Sequence, residues 1–240
     1  MTAASLAAAW AAVSGAVTDL ARFPPKALDA SVFEEAAAGK VARRTLAGEP
    51  ATVVGVGLLD ISREEAWLSL TDDRLSAEIE SLTEVALQGT WASPKLLYSR
   101  LDLPWPFADR HWVIQLSNNA ALATRSGVWE RAWNVRPDAL AGARTRTDAA
   151  AFDAAEAVAI NEGSWLLVSL DATHTLAVYQ ARATMGGGIP DGAVDTYTRS
   201  SLTGLYSGIE RNAENVRRRY GPGCTPQPGA DGAPLPCFTR

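Results

Sequence analysis

The chain has 240 residues, of which 47% are apolar and 20% are charged, a balance typical of a soluble globular protein with a full hydrophobic core. The net charge of −5 and the absence of a long basic run argue against a nucleic-acid-binding surface. Eight tryptophans are costly to bury without partners for their N–H groups, so they indicate a large apolar interior or an aromatic-lined cavity.

Two helices are predicted within residues 1–38. In the first, apolar residues recur at helical spacing, at Leu6, Trp10, Val13, Val17 and Leu20. Residues 1–21 are therefore expected to form an amphipathic helix that docks on the rest of the protein. This Ala-rich stretch lacks the basic residues with which a signal peptide begins. The sequence contains no run of about 18 apolar residues, so no membrane span is predicted. Phe23-Pro24-Pro25 ends the helix, and residues 27–38 form the second.

From residue 39 the pattern changes to short β-rich runs separated by turns. Strands are predicted at residues 41–47, 51–59, 81–87, 95–103, 111–116, 128–135, 158–161, 165–170 and 175–184. Ser62 and Glu65 form a capping-box pattern that begins a helix after the second strand. Gly163 is expected in a hairpin turn, residues 118–127 in a loop, and residues 136–154 in a solvated insertion with one short helix.

A single long amphipathic helix is predicted from residue 191 to about residue 220. About 30 residues at 1.5 Å each span roughly 45 Å, enough to cross a whole antiparallel sheet. Strands followed by such a helix indicate an α+β fold. A curved antiparallel sheet wrapped around the helix leaves a gap between them, and small apolar ligands bind in such gaps.

The two cysteines lie at the ends of one Pro/Gly-rich segment. Cys224 and Cys237 are interpreted as a disulfide that closes a short loop and contributes about 3 kcal/mol to stability. Such a bond requires an oxidising compartment, so the periplasm or cell envelope is favoured over the cytoplasm. Two free thiols in a cytosolic tail are the alternative. No His or third Cys is close enough in sequence to complete a metal site.

Most catalytic patterns are absent from the sequence. It has no Gly-Lys-Ser/Thr phosphate loop, no G-x-S-x-G elbow and no HExxH motif, and no cofactor or metal is predicted. Charged residues nevertheless occur inside the predicted strands, at Arg100, Asp102, Glu130, Arg131, Glu162 and Arg182. They are interpreted as solvent-exposed cross-strand pairs, and any that face a cavity need partners.

The stretch at residues 98–113, YSRLDLPWPFADRHWV, resembles a signature of START domains, the lipid-transfer domains of the helix-grip superfamily. The matching residues are Tyr98, Pro104, Trp105, Pro106, Arg110, Trp112 and Val113. The GGGIP segment at residues 186–190 and the NEGSW segment at residues 161–165 are also similar to that family. The resemblance covers residues 39–220.

This resemblance implies a helix-grip fold with an internal hydrophobic tunnel. It also implies non-enzymatic binding, and optionally transfer, of one lipid or other hydrophobic molecule. Residues 1–38 would be a helical extension, residues 39–220 the lipid-binding domain and residues 221–240 a tail. The implied gate is the segment at residues 118–127, represented by Ala120, Ala121 and Leu122, together with the last helix.

One position departs from the family pattern. Members that bind phospholipid or sterol often place a cavity Arg six residues after the signature Arg, and Leu116 stands there in this chain. His111 also replaces the usual Asp after Arg110. A phosphate would lack its partner, so an apolar ligand such as a sterol, carotenoid or fatty acid is predicted. The predicted lining residues are Trp112, Ile114, Leu116, Trp129, Trp133, Trp165, Tyr179, Gln180, Arg182, Leu202, Leu205, Tyr206 and Ile209.

Two other functions stay open at this stage. An aromatase/cyclase on the same scaffold would use His111 and Arg182 as acid/base residues, and a protein-interaction domain would use the N-terminal helix as its contact. The predicted partners are a hydrophobic small molecule and, transiently, a membrane, with no nucleic acid. The protein is expected to act as a monomer.

Overall fold

The computed structural model describes residues 1–26, 28–74, 82–89, 91–186 and 191–239, with the helix backbone alone at residues 191–201. The described helices are α1 (Ala3–Leu20), α2 (Ala30–Ala37), α3 (Arg63–Thr71), α4 (Ala120–Ser126), α5 (Leu140–Ala143), α6 (Ala149–Ala154) and α7 (Asp191–Arg219). The described strands are β1 (Ala42–Leu46), β2 (Thr52–Leu59), β3 (Leu82–Ala86), β4 (Lys95–Leu101), β5 (Arg110–Asn118), β6 (Trp129–Val135), β7 (Glu156–Ala157), β8 (Asn161–Ser169) and β9 (Thr175–Ala183).

These strands form one curved sheet in the order β1-β2-β9-β8-β6-β5-β4-β3. Every pair along this path is antiparallel, and the two-residue β7 pairs with β5 in parallel beside the path. The long helix α7 packs against the concave face of the sheet. The α+β, helix-grip fold predicted from the sequence is therefore confirmed.

Two glycines in β2 let the helix approach the sheet closely. A Cβ atom at Gly57 would lie 2.6 Å from the Tyr206 ring, and one at Gly55 would lie 2.8 Å from the Leu202 side chain. Real Cβ atoms almost never come this close to other atoms, so a side chain at either position would force Tyr206 or Leu202 to shift. As a result, α7 rests on the β2–β9–β8 half of the sheet, where Ile209 and Val216 extend the same core.

The N-terminal helices cover the convex face of that half. Leu6, Trp10 and Val17 of α1 are buried together with residues of α2 and of the outer faces of β2, β8 and β9. The docking helix predicted from the apolar stripe is confirmed. Contrary to the sequence-based expectation, α1 also has the length and apolar composition of a membrane span, with a mean hydropathy of 1.3 and 17% of its residues buried.

A buried carboxylate attaches this extension to the sheet. Glu130 of β6 is fully buried and accepts hydrogen bonds from the backbone N–H groups of Arg22 (3.0 Å) and Phe23 (3.2 Å). It also accepts one from the Asn119 amide at 2.6 Å, and that amide donates to the Leu20 carbonyl at 2.7 Å. Glu130 is therefore not the exposed cross-strand residue expected from the sequence.

The insertion after β6 covers the convex face of the other half of the sheet. Tyr98, Val113 and Ala143 are buried together, and Phe152 of α6 packs against them. The Phe152 ring stacks on Tyr98 with centroids 5.9 Å apart. The prediction of a solvated excursion with one short helix is wrong, because α5 and α6 carry apolar side chains that the sheet buries.

The C-terminal tail belongs to the concave-side core. The structure joins Cys224 to Cys237, as expected from their spacing. Between them, Leu235 is buried, and the Pro228 carbonyl accepts a hydrogen bond from the Trp67 indole at 3.1 Å. The tail thus contributes Ala230 and Leu235 to the same hydrophobic core as Trp67 and Trp129.

Three further local predictions were wrong. Gly163 lies inside β8, where a side chain would collide with the Gln180 carbonyl and with Trp133, so its lack of a Cβ serves sheet packing instead of a turn. The strand predicted at residues 158–161 is replaced by β7 and the start of β8. Residues 118–127 contain the helix α4, which the Asn119 side chain caps. The sequence also predicts a polar helix or turn near residues 72–78, and this stretch lies largely outside the described residues.

Candidate ligand-binding site

A cavity of about 180 Å³ lies on the concave side of the sheet. Its apolar wall consists of four aliphatic side chains and two indoles, from Leu70, Leu97, Ile114, Leu116, Trp133 and Trp165. Three charged side chains, from Asp73, Glu84 and Arg131, also line it. The cavity is therefore amphipathic, with charged groups on an otherwise apolar surface.

Strand register brings these residues together. Leu97 lies opposite Ile114, and Leu116 lies between Lys95 on one side and Trp133 on the other. Because side chains alternate between the two faces of a strand, residues two apart share the concave face. Helix α7 packs on the β2–β9–β8 half of the sheet. Most of the strand residues that line the cavity therefore belong to β4, β5 and β6.

A buried ion pair stands at the edge of this cavity. Lys95 is fully buried and its ammonium binds the Oδ1 atom of Asp73. Burial lowers the pKa of Lys95, while its pairing with Asp73 acts in the opposite direction. The second carboxylate oxygen of Asp73, Oδ2, is also buried and has no hydrogen-bond partner among the described residues.

Arg131 supplies a second buried cation. Only 5% of the residue is exposed, and its Nη1 donates to the Asn118 side-chain oxygen at 2.9 Å. Burial lowers the pKa of Arg131 to about 10, and the Asp73 carboxylate opposes that shift. The guanidinium therefore stays charged at neutral pH.

Glu84 of β3 completes the charged set. Part of its surface remains accessible, yet the surrounding protein desolvates the carboxyl and raises its pKa, while a hydrogen bond from the Ser99 hydroxyl at 3.3 Å opposes that shift. Nearby Asp73 also raises the pKa of Glu84, and Lys95 lowers it. Among the described residues, two cations and two carboxylates thus meet around one cavity.

The charged groups alter the interpretation of Leu116. The residue does line the cavity, so the missing Arg of the family signature leaves an apolar side chain there. Lys95 and Arg131, on the two neighbouring strands, nevertheless supply positive charge around it. The prediction of an apolar ligand rested on the lack of an Arg at position 116, and it did not take these two cations into account.

The missed charges carried a signal in the sequence. Arg131 precedes Trp133 by two residues, and Lys95 precedes Leu97 by two, so alternation places each charge on the face of its apolar neighbour. Which face points inward is fixed only by long-range register, which the sequence does not reveal.

The residues predicted to line the tunnel divide into three groups. Ile114, Leu116, Trp133 and Trp165 line the cavity. A second group shares the concave side but packs in its core or beside it, namely Trp112, Trp129, Tyr179, Leu202, Leu205, Tyr206 and Ile209. Within that group, the Tyr206 hydroxyl donates to the Ala177 carbonyl at 3.0 Å.

Gln180 and Arg182 form the third group and face the opposite side of the sheet. The Gln180 amide binds the Phe23 carbonyl and donates to the Ser164 hydroxyl at 3.1 Å. Arg182 pairs with Glu162 near the surface and lies 5.9 Å from the Phe23 ring centroid. Both predictions were wrong because the alternation of β9 directs even-numbered residues toward the N-terminal extension.

The acid/base residues of the cyclase alternative do not meet the cavity. His111 lies on the convex side with its ring 4.6 Å from that of Phe152 and 3.4 Å from the Tyr98 hydroxyl. Burial lowers the pKa of His111, and the nearby Arg100 charge adds to that shift. Arg182 also faces away from the cavity, so neither residue reaches a ligand bound there.

The predicted gate segment is attached to the N-terminal extension. Ala120 and Ala121 are exposed, but Leu122 is fully buried in the cluster that contains Leu6 and Val128. Because Leu122 packs on α1 and its neighbours, movement of α4 requires that this contact loosen.

The tip of the Pro-Trp-Pro corner is exposed, whereas its base is held in place by a buried side chain. Trp105 is 92% exposed. Arg110, by contrast, is 1% exposed, and its guanidinium donates to the carbonyls of Ala108 (2.6 Å) and Gly186 (3.3 Å). The signature Arg thus ties the corner to the chain that leads into α7.

No protein-family model matches this sequence, and no curated protein is significantly similar to it. Solved structures do resemble the fold. The STAR-related lipid transfer protein from Xanthomonas axonopodis is 20% identical with a TM-score of 0.57, and the alignment covers 73% of this chain and 93% of that one. Human STARD10 is 11% identical with a TM-score of 0.52, covering 82% and 86%.

The Zhui aromatase/cyclase from Streptomyces sp. R1128 aligns with a TM-score of 0.46 and 15% identity, over 72% of this chain and 98% of that one. The likeness to the first two structures shows the fold alone. The chain has the START-like helix-grip fold that the sequence motifs predicted.

Proposed function

We propose that this protein binds a hydrophobic small molecule, a lipid in the broad sense, in the cavity on the concave side of its sheet, without chemical turnover. The observation that carries the proposal is the cavity itself, with Leu97, Ile114, Trp133 and Trp165 on its walls. Apolar burial of a ligand there is worth roughly 25 cal/mol per Å². The START-like fold supports the proposal as a scaffold on which lipid-transfer proteins are built.

The absence of turnover is part of the proposal. Its support is that the two candidate acid/base residues, His111 and Arg182, face the convex side of the sheet. The charged residues that do line the cavity are Asp73, Glu84 and Arg131. Asp73 pairs with Lys95 and Arg131 binds Asn118, an arrangement suited to orienting a head group.

We also propose that the protein works as a monomer in an oxidising compartment and contacts membranes transiently while it exchanges ligand. The Cys224–Cys237 disulfide supports the compartment, because such bonds persist outside the reducing cytosol. Its loop also contains Leu235, a buried residue of the hydrophobic core.

Native mass spectrometry of protein purified from a lipid-containing host tests the proposal. We expect an adduct with the mass of a hydrophobic molecule, followed by saturable binding to members of a lipid array. Ile114→Trp fills the cavity and is expected to remove both signals. Gln115→Trp is the matched control, because the neighbouring position faces the other side of β5.

The proposal fails if the purified protein carries nothing and the array shows no saturable binding. It also fails if Ile114→Trp, while folded, binds as well as the unchanged protein. Turnover of a polyketide-like substrate that Arg182→Ala abolishes would support the cyclase alternative instead.

A further inference from the structure

We propose that Lys95 holds a hydrophobic aldehyde in the cavity as a reversible protonated imine, with the alkyl chain of the ligand along the apolar wall. This inference rests on the proposed function and names the class of ligand, an apolar aldehyde. The new bond joins the Nζ atom of Lys95 to the carbonyl carbon of the ligand. Hydrolysis of that bond releases the aldehyde unchanged, so the protein remains a carrier.

Strand register places Lys95 next to the cavity. The residue begins β4 and pairs with Leu116 of β5, and Leu97, two residues along β4, shares its face of the sheet. Both leucines line the cavity. Asp73, which binds the Lys95 ammonium, lines it as well, and its side chain is 27% exposed. The nitrogen is therefore one ion-pair contact away from a ligand in the cavity.

The choice of lysine at this position is unusual for this chain. Only three of its 22 Lys and Arg residues are lysines, and the other two, Lys26 and Lys40, are exposed. Arginine suits buried ion pairs better, because its guanidinium is more weakly hydrated and always charged. A lysine amine can instead lose its proton and form a Schiff base with a carbonyl compound. The buried pair thus contains the one basic side chain that permits imine chemistry.

The surroundings of Lys95 favour the free amine. The residue is fully buried, and this burial lowers the pKa of its ammonium. The Arg131 charge lowers that pKa further, whereas Asp73 and Glu84 oppose the shift. Desolvation and a neighbouring cation are the two conditions that activate lysines in proteins that form Schiff bases. At neutral pH a larger fraction of Lys95 than of an exposed lysine is therefore unprotonated.

Asp73 can carry out the proton transfers that imine formation requires. Its carboxylate takes one proton from the ammonium, and the freed electron pair of Nζ attacks the carbonyl carbon. The carbonyl oxygen then receives one proton from Nζ and one from Asp73, and it leaves as water while the C=N bond forms. Nζ keeps one proton and the positive charge. The ammonium and the aldehyde thus become a protonated imine and water, with no other reactant.

The charge of the site is the same before and after this reaction. Lys95 and Arg131 carry two positive charges, and Asp73 and Glu84 carry two negative charges, so the formal sum of these four residues is zero. The protonated imine keeps the charge of the ammonium, and Asp73 remains its counter-ion. An anionic ligand would instead leave the four residues and the ligand with a net negative charge. Burial of the nitrogen also keeps water away from the imine and slows its hydrolysis.

Reductive trapping with hexanal tests the inference on the unchanged protein. The cavity of about 180 Å³ is slightly larger than the about 150 Å³ that holds benzene, so it can enclose this chain. Sodium cyanoborohydride reduces the imine to a stable secondary amine, and peptide mass spectrometry then locates the alkyl group. We expect labelling of Lys95 at pH 7 to exceed that of Lys26 and Lys40 by about tenfold, because more of its amine is unprotonated.

Variants separate the covalent bond from binding in the cavity. Lys95→Arg keeps the positive charge but cannot form an imine, so it should lose the label and still bind 1-methoxypentane, an ether without a carbonyl group, as the unchanged protein does. Lys26→Arg is the matched control, because it removes an exposed lysine and should leave labelling of Lys95 unchanged. Ile114→Trp fills the cavity and should abolish labelling of Lys95 while that of Lys26 persists.

The labelling pattern of the unchanged protein decides the test even where a variant does not fold. Labelling of Lys26 and Lys40 that equals or exceeds that of Lys95 would overturn the inference and leave the proposed function intact. Equal labelling of Lys95 in folded Ile114→Trp would overturn it too, because the aldehyde would then reach the amine by another route. If Lys95 is not labelled and the lipid array is also negative, both the inference and the proposed function fail.

Discussion

A buried carboxylate reinforces the apolar contact between the N-terminal extension and the sheet, and Glu130→Ala tests its contribution. The substitution leaves the backbone N–H groups of Arg22 and Phe23 and the amide of Asn119 without their common acceptor. We expect the variant to fold with a much lower free energy of unfolding and a loosely attached extension.

The magnitude is set by the three lost hydrogen bonds. Bonds to a charged group contribute about 1.5–3 kcal/mol each. Arg22 is exposed, so water can replace part of what its amide loses. The expected loss is therefore about 3–5 kcal/mol, the range measured when one partner of a buried charged contact is removed. That is a large part of the about 5–15 kcal/mol that stabilises a typical domain.

Urea denaturation followed by tryptophan fluorescence measures the loss, and limited proteolysis near residues 22–29 reports detachment of the extension. Glu162→Ala is the matched control, because Glu162 lies on the adjacent strand β8 but pairs with Arg182 near the surface. The control should lose less than about 1 kcal/mol. Equal losses in the two variants would refute the assigned role of Glu130.

Three further predictions concern the tail, the end of α7 and the Pro-Trp-Pro corner. Replacing Cys224 and Cys237 by Ala should lower the free energy of unfolding by about 3 kcal/mol, and reduction with dithiothreitol should reproduce that loss in the unchanged protein alone. Burial and the Asp72 carboxylate raise the pKa of Tyr220 to about 12, so the native state holds the phenol proton more tightly than the unfolded state does. Stability should therefore be full below about pH 10 and fall as the pH rises toward 12; a similar fall in Tyr220→Phe would contradict this assignment. Trp105→Ser should change the free energy of unfolding by less than about 0.5 kcal/mol, whereas Arg110→Met should lower it by about 2 kcal/mol or more, and equal effects in parallel melts would argue against the role given to Arg110.

Local patterns in the sequence were sufficient for the elements that local physics determines. The Ser62–Glu65 capping box begins α3 as predicted, and the apolar stripe of α1 is the face that docks. The extent of α7 was also predicted to within about one residue. Each of these depends on residues close together in the chain.

The errors share a different cause. Arg131, Gln180 and Arg182 each point to the concave or the convex face of the sheet, depending on which face of their strand is on the side of α7. That choice is set by contacts between residues far apart in the chain, so the local sequence does not reveal it. Gly163 illustrates the same limit, because a glycine within a strand and one in a turn look alike until the partner across the sheet is known. Of the predicted lining residues, Ile114, Leu116, Trp133 and Trp165 do line the cavity, whereas its charged residues were not predicted.

A crystal structure of the protein with its co-purified ligand tests the central claim most directly. We expect elongated electron density on the concave side of the sheet, in contact with Trp133 and Trp165, with the polar end of the ligand at Arg131. An interior filled by side chains, or a ligand bound away from the cavity on the concave side of the sheet, would contradict the proposed function.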